Sequence, residues 1–171
     1  GAPTDHGEVV AQSVYDFAPK AHYIFVNYHS QADFVAATDW LITQRPDIVV
    51  HANNFLDGPF DGTSEPAKAV DRAAAAGVMW FNSAGNYGLK AWHGAWRDTD
   101  SDASLDWPAD WTITRTGDQA ITFHLSWTNA ADRPATDLDL IVEKLGGDGT
   151  WTSVVEAVER QADGAPTVER I

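Results

Sequence analysis

Cysteine is absent from the 171-residue chain, which excludes a disulfide scaffold, a thiolate metal site, an iron–sulfur cluster and a thiol nucleophile. Basic residues are scarce: 11 Lys and Arg stand against 25 Asp and Glu, a formal net charge of −14. A chain of that sign lacks the basic face that tracks nucleic-acid phosphates and offers no electrostatic anchor to an anionic membrane. No apolar run approaches the roughly 18 residues needed to span a bilayer. No glycine-rich phosphate loop follows any of the expected strands, which argues against a nucleotide-binding α/β protein. What is present is ordinary for a globular chain that buries a core, with 44% hydrophobic and 21% charged residues. The length suits one domain or two small ones. A cysteine-free acidic chain suits an extracellular location, and a chain opening on Gly1 without a signal peptide is expected to be a piece of a longer one.

Charge and periodicity change together along the chain. Residues 1–90 carry 10 acids and 5 bases, net −5, and residues 91–171 carry 15 and 6, net −9. The spacing of Val10, Val14 and Phe17 predicts a helix over Gly7–Phe17, stopped by Pro19. His22–Tyr28 has the β-branched and aromatic composition of a buried strand. Ala32–Gln44 is helical and Asp47–Asn53 a second strand. A Gly/Pro/Asp loop leads to an Ala-rich helix beginning E-P-A-K, closed by Gly77 at C′. Val78–Ser83 is the third strand. Continuous apolar strands alternating with helices predict an α/β parallel sheet covered on both faces. Its chemistry is expected beyond the carboxyl ends of the strands, at Tyr28–His29, Ala52–Asn54 and Ser83–Asn86. A boundary is expected near Leu89–Trp92, giving domains over 1–90 and 91–171.

The ordered set D-H-G-x-x-x-A, then D-x-V-V-x-A-N-N-F, then A-V-D-R-A-A-A-A-G-V-x-x-F-N-S-A-G-N resembles the middle of a subtilisin-like serine protease, over roughly residues 5–90. The resemblance implies a partial parallel three-layer subtilisin-like core. It implies that His6, at the start of its helix, is the general base. It implies further that Asn86 donates its side-chain amide to the oxyanion hole, and that Ala52, Asn53 and Asn54 pair with the substrate peptide as an extra strand. Such roles suit the chemistry of an imidazole near neutral pH and of an amide aimed at developing negative charge. Alone, a His-Gly pair or a Gly-Asn pair is an ordinary turn; their order around βαβ units is what raises them. The departures matter as much. Glu8 stands where the family mostly has Thr, and the strand bearing the catalytic Asp and the G-T-S-x-A-x-P motif bearing the nucleophile have no counterpart in the 171 residues. Asp5 is no substitute, and Ser64, followed by Glu65 and Pro66, reads as a helix N-cap. The resemblance therefore implies a fragment of a secreted endopeptidase, inactive by itself, whose partners are a peptide substrate and the missing parts of its own polypeptide. The alternative is a non-catalytic binding or scaffold module whose acidic β-part is the working surface.

In the second part, Asp98, Asp100, Asp102 and Asp106 stand in D-x-D-x-D-x-x-x-D spacing. Alternate carboxylates on a loop converge on a hard cation such as Ca²⁺, although Ala103 and Asp106 break the EF-hand pattern and a solvated acidic turn is the plain alternative. Strands are expected over Trp111–Thr114, Ala120–Thr128, Asp137–Leu145 and Thr152–Glu159, with a hairpin turn at Gly146–Gly149. Together they predict an antiparallel β-sandwich-like segment, similar to the prepeptidase-type β-domains of secreted proteases. Five of the eight Trp lie between Trp92 and Trp127, as core or as a gripping strip.

Overall fold

The computed structural model describes residues 5–56, 58–88, 90–106, 113–114, 117–118, 120–128, 136–158, 160 and 168–171. The fold is mixed α/β, and the chain groups into two units: Gly1–Ala84 with Phe123–Ile171, and Gly85–Thr122. The strands from Phe123 onward thus group with the first unit and not with the acidic stretch before them.

In the first unit, α1 covers His6–Phe17, α2 Gln31–Gln44, β1 Ile48–His51, α3 Glu65–Ala75 and β2 Met79–Asn82. Capping explains where the helices begin and end. The Ser30 hydroxyl accepts from the Asp33 amide at 3.1 Å, and the Ser64 hydroxyl from the Ala67 amide at 3.3 Å, so Ser64 is a cap, as its neighbours Glu65 and Pro66 indicate. Gly77, at φ 90°, leaves α3 through the left-handed region that suits glycine. The strands β1 and β2 pair in parallel, Ile48 with Met79 through His51 with Asn82, and α3 is the crossover between them.

The core sits where α2 and α3 pack together beside this sheet. Phe34, Ala69, Ala73 and Val78 are buried, and Thr38 is fully so. Ala69 and Ala73, four residues apart, present a flat small-residue face on α3, and a bidentate pair from Arg72 to Asp39 of α2 lies at its exposed margin. The inward face of the sheet carries Val49, His51 and Trp80, and rings of Tyr28, Phe34, Phe55 and Trp80 surround His51 at 4.9–6.4 Å. The outward face carries Ile48, Val50, Met79 and Phe81, each about half exposed.

His22–Tyr28, expected as a strand, is not one. Apolar composition does not supply a ladder partner, and a strand exists only when a neighbour takes its backbone groups. Here Tyr23, Phe25 and Tyr28 are used as side chains instead, stacking on Tyr15 or on one another, or packing on Phe34. After residue 122, β3 (His124–Ser126) pairs antiparallel with β6 (Val168–Arg170), and β4 (Leu140–Leu145) with β5 (Trp151–Ala157). The β4–β5 hairpin turns through Gly146–Gly149 as expected, with the Gly146 amide donating to the Thr150 carbonyl at 2.7 Å and Gly149 at φ 81°. The three-residue β6 was not expected. Within the expected strands, Trp111, Thr112 and Glu159 lie outside the described residues, as does Leu89 of the expected boundary.

In the second unit, Gly85 adopts φ 77°, and Gly94 accommodates the Trp92 ring, which a Cβ at that position would meet at 2.3 Å.

Candidate functional site

His6 opens α1, directly after Asp5, whose side chain makes no capping bond. The imidazole is exposed, and its Nε2 lies 2.9 Å from the Ala52 carbonyl oxygen, at the carboxyl end of β1. That oxygen accepts, so Nε2 is the hydrogen-bearing nitrogen in this contact. The strand's own geometry explains why Ala52 is within reach. The Met79 amide donates to the Asp47 carbonyl and the Ser83 amide to the His51 carbonyl, so these carbonyls face β2. Strand alternation then turns the Ala52 carbonyl to the other edge of β1, which is open among the described residues and where His6 stands. The structure thus brings together two residues, His6 and Ala52, from motifs 46 positions apart. Glu8 makes its hydrogen bond elsewhere, its carboxylate accepting from Gln12 at 3.5 Å.

Asn53 and Asn54 follow at the same strand end. The Asn53 side-chain oxygen accepts from the Asn54 amide at 2.9 Å. The Asn53 carbonyl accepts from Asn82 Nδ2 at 3.4 Å and from the Ser83 hydroxyl at 3.3 Å. Behind them lie three polar side chains to which the sequence motifs gave no role, although Tyr28 ended an expected strand and Asn82 stands within F-N-S-A-G-N. The Tyr28 hydroxyl is 2.7 Å from His51 Nε2, and His51 Nδ1 is hydrogen-bonded to Asn82 Oδ1. Burial pushes the Tyr28 hydroxyl above its ordinary value, and a hydrogen bond with the Asn53 side chain partly opposes that. A signal for this cluster was present: His51 and Asn82 interrupt apolar strands at positions in phase with inward-facing Val49 and Trp80. A polar side chain on the inward face needs a partner.

In the second unit, Asn86 is exposed and follows the left-handed Gly85. The acidic loop brings Asp98, Asp100 and Asp102 together, one carboxylate oxygen from each lying within 4.8 Å of the others. Oxygens of this kind suit a hard cation, yet all three carboxylates also accept backbone amides. Asp98 takes those of Ser101 and Ala103 at 2.7 and 3.2 Å, Asp100 that of Asp102 at 3.4 Å, and Asp102 that of Ser104 at 2.7 Å. Asp106 stands outside this trio. Its carboxylate accepts from the amide and hydroxyl of Thr99, and those hydrogen bonds hold it below the ordinary aspartate value.

No family model, no curated protein and no solved structure matches this chain. The chemistry of the site rests on its own residues. At the end of β1 it offers an exposed imidazole, an open strand edge and a set of amide groups fixed from behind. An imidazole there donates from Nε2, and it can take a proton at that nitrogen only in its other tautomer. An open edge can pair with an extended chain. Ser64 contributes nothing to either, since its hydroxyl is used at the start of α3.

Proposed function

We propose that this chain is the base-bearing, peptide-pairing part of a secreted subtilisin-like serine endopeptidase, with the α/β part belonging to a three-layer subtilisin-like core and the later strands to a sandwich-like accessory segment. The observation that carries the reading is the 2.9 Å contact between His6 Nε2 and the Ala52 carbonyl, which joins the H-G motif to the strand end after D-x-V-V. In the intact enzyme a serine attacks the peptide carbonyl, His6 takes its proton and returns it to the leaving amine, and the Asn86 amide holds the oxyanion. The substrate lies along the open edge at Ala52–Asn54.

The His6 tautomer supports inactivity of the chain by itself. With its hydrogen on Nε2, a neutral His6 presents no lone pair toward the edge. A carboxylate accepting from Nδ1 reverses the tautomer and frees Nε2 to act as a base. The family's strand-borne Asp has that role, and neither that strand nor the serine motif occurs within these 171 residues. The proposal extends to calcium on Asp98, Asp100 and Asp102 as the resident cation of the acidic loop.

A serine-directed fluorophosphonate tests the catalytic part. No labelling of this chain is expected, and labelling of Ser64 overturns the assignment. Sequencing the gene on both sides tests the rest. An upstream D-[ST]-G strand and a downstream G-T-S-x-A motif are expected; their absence leaves the non-catalytic module.

A further inference from the structure

The three polar groups behind the strand end form a hydrogen-bond chain with only one consistent direction. Asn82 decides it. Its Nδ2 donates to the Ser83 carbonyl at 2.8 Å and to the Asn53 carbonyl at 3.4 Å, so the atom it turns to His51 is Oδ1, which only accepts. His51 Nδ1 therefore carries the hydrogen. In a neutral imidazole, Nε2 then holds the lone pair, and the Tyr28 hydroxyl 2.7 Å away donates to it. Every donor in the series Tyr28, His51, Asn82 points the same way, ending on the Asn53 carbonyl. Hydrogen bonds aligned in this manner polarise and strengthen one another.

The surroundings keep the series rigid. Phe34 of α2, Phe55 after β1, and Trp80 of β2 pack around the imidazole with centroids at 4.9, 6.4 and 6.1 Å. Tyr28 and Asn82 complete the shell, one hydrogen-bonded to each ring nitrogen. The series ends on backbone. Pinning the Asn53 carbonyl inward fixes the peptide planes on either side, including the one that turns the Ala52 carbonyl to the open edge.

We propose that His51, held as its Nδ1–H tautomer between Tyr28 and Asn82, is a positioning residue for the peptide-pairing edge at Ala52–Asn54. The pairing role rests on the function proposed above; the hydrogen-bond chain does not. Neutral glutamine reproduces both of its functions, since one amide donates to Asn82 and accepts from Tyr28, whereas leucine keeps bulk and loses both.

The test uses the 171-residue chain labelled with ¹⁵N and ¹³C. At mildly alkaline pH the His51 ring nitrogens are expected to report hydrogen on Nδ1 and a lone pair on Nε2. His51→Leu is expected to move the Asn53 carbonyl ¹³C resonance to its unbonded position, and His51→Gln to restore it. Affinity for an extended, capped pentapeptide is expected to fall about tenfold in His51→Leu and to recover in His51→Gln. Should the leucine variant not fold, Tyr28→Phe removes only the first donor and is expected to shift the His51 Nε2 resonance with the same downstream sign at Asn53. The opposite tautomer, or an Asn53 carbonyl indifferent to His51→Leu and Tyr28→Phe, overturns the positioning assignment. A wild-type chain with the expected tautomer and carbonyl response but no affinity for the peptide overturns the pairing role and leaves the hydrogen-bond chain standing.

Discussion

The βαβ stretch from Gln31 to Ser83 and the acidic loop from Arg97 to Asp106 hold their shapes by opposite means. In the first, rings and small apolar side chains exclude water around Phe34, and the polar groups beside them are hydrogen-bonded in series. In the second, almost every organising contact is a carboxylate accepting a backbone amide in the open. Packing of rings and small apolar side chains is above all sensitive to volume. Hydrogen bonds of the second kind respond to protonation and tolerate changes in neighbouring bulk. A site that must hold backbone geometry belongs on the first type of support, and the strand end at Ala52–Asn54 is built there, while His6 reaches it from the exposed helix α1.

The contrast breaks first at Phe34. Replacing it by alanine is expected to destabilise the first unit by about 3–5 kcal/mol, read by denaturant unfolding, because the ring is buried among Tyr28, His51, Phe55 and Trp80. Amide exchange at Thr99 in the acidic loop is expected to be unchanged. A loop that loosens in step with the core would erase the distinction. Next comes Ser64→Ala, expected to cost about 1 kcal/mol through the lost cap, with Ser64→Asp restoring most of it in the same unfolding measurement.

Asp39→Asn is a smaller effect. The Arg72 pair is bidentate but half exposed, so a loss of about 0.5 kcal/mol is expected, and it should shrink in high salt. The smallest effect is local and belongs to the loop. Thr99 holds the Asp106 carboxyl below its ordinary value, so this contribution is fully present above the ordinary aspartate range. It is lost as pH falls through the lower folded value. A carboxyl ¹³C titration should place the Asp106 midpoint below that of an unfolded aspartate, and Thr99→Val should return it upward.

Much of this arrangement is legible in the amino-acid sequence, and the limits have physical causes. Helix ends are readable because their signals are local: Ser64 with Pro66, Gly77 after the alanines, Pro46 after α2. The hairpin is readable for the same reason, its glycines lying between two alternating runs. His22–Tyr28 misleads because strand composition describes a side-chain environment and not a ladder. β6 has three residues and draws its identity from β3, about 40 positions earlier, a non-local pairing that no local pattern announces. The Tyr28–His51–Asn82 series escapes because its links span 23 and 31 positions. Sequence spacing does not name such partners, although a polar residue in inward phase shows that one must exist. At the site itself, the motifs gave His6 and Ala52 separate roles, and they announced neither the contact between the two nor the groups that hold the strand end from behind.

The outward face of the β1–β2 sheet bears on how the protein behaves as a solute. Ile48, Val50, Met79 and Phe81 form two cross-strand pairs of half-exposed apolar side chains on a chain of net charge −14. At neutral pH mutual repulsion opposes the meeting of such faces, and that repulsion vanishes near the isoelectric point of about 4.5. Colloidal stability therefore depends on the acidic residues, most of which lie after residue 90, while the sticky surface lies before it. Dispersity in light scattering should follow pH and ionic strength before it follows temperature.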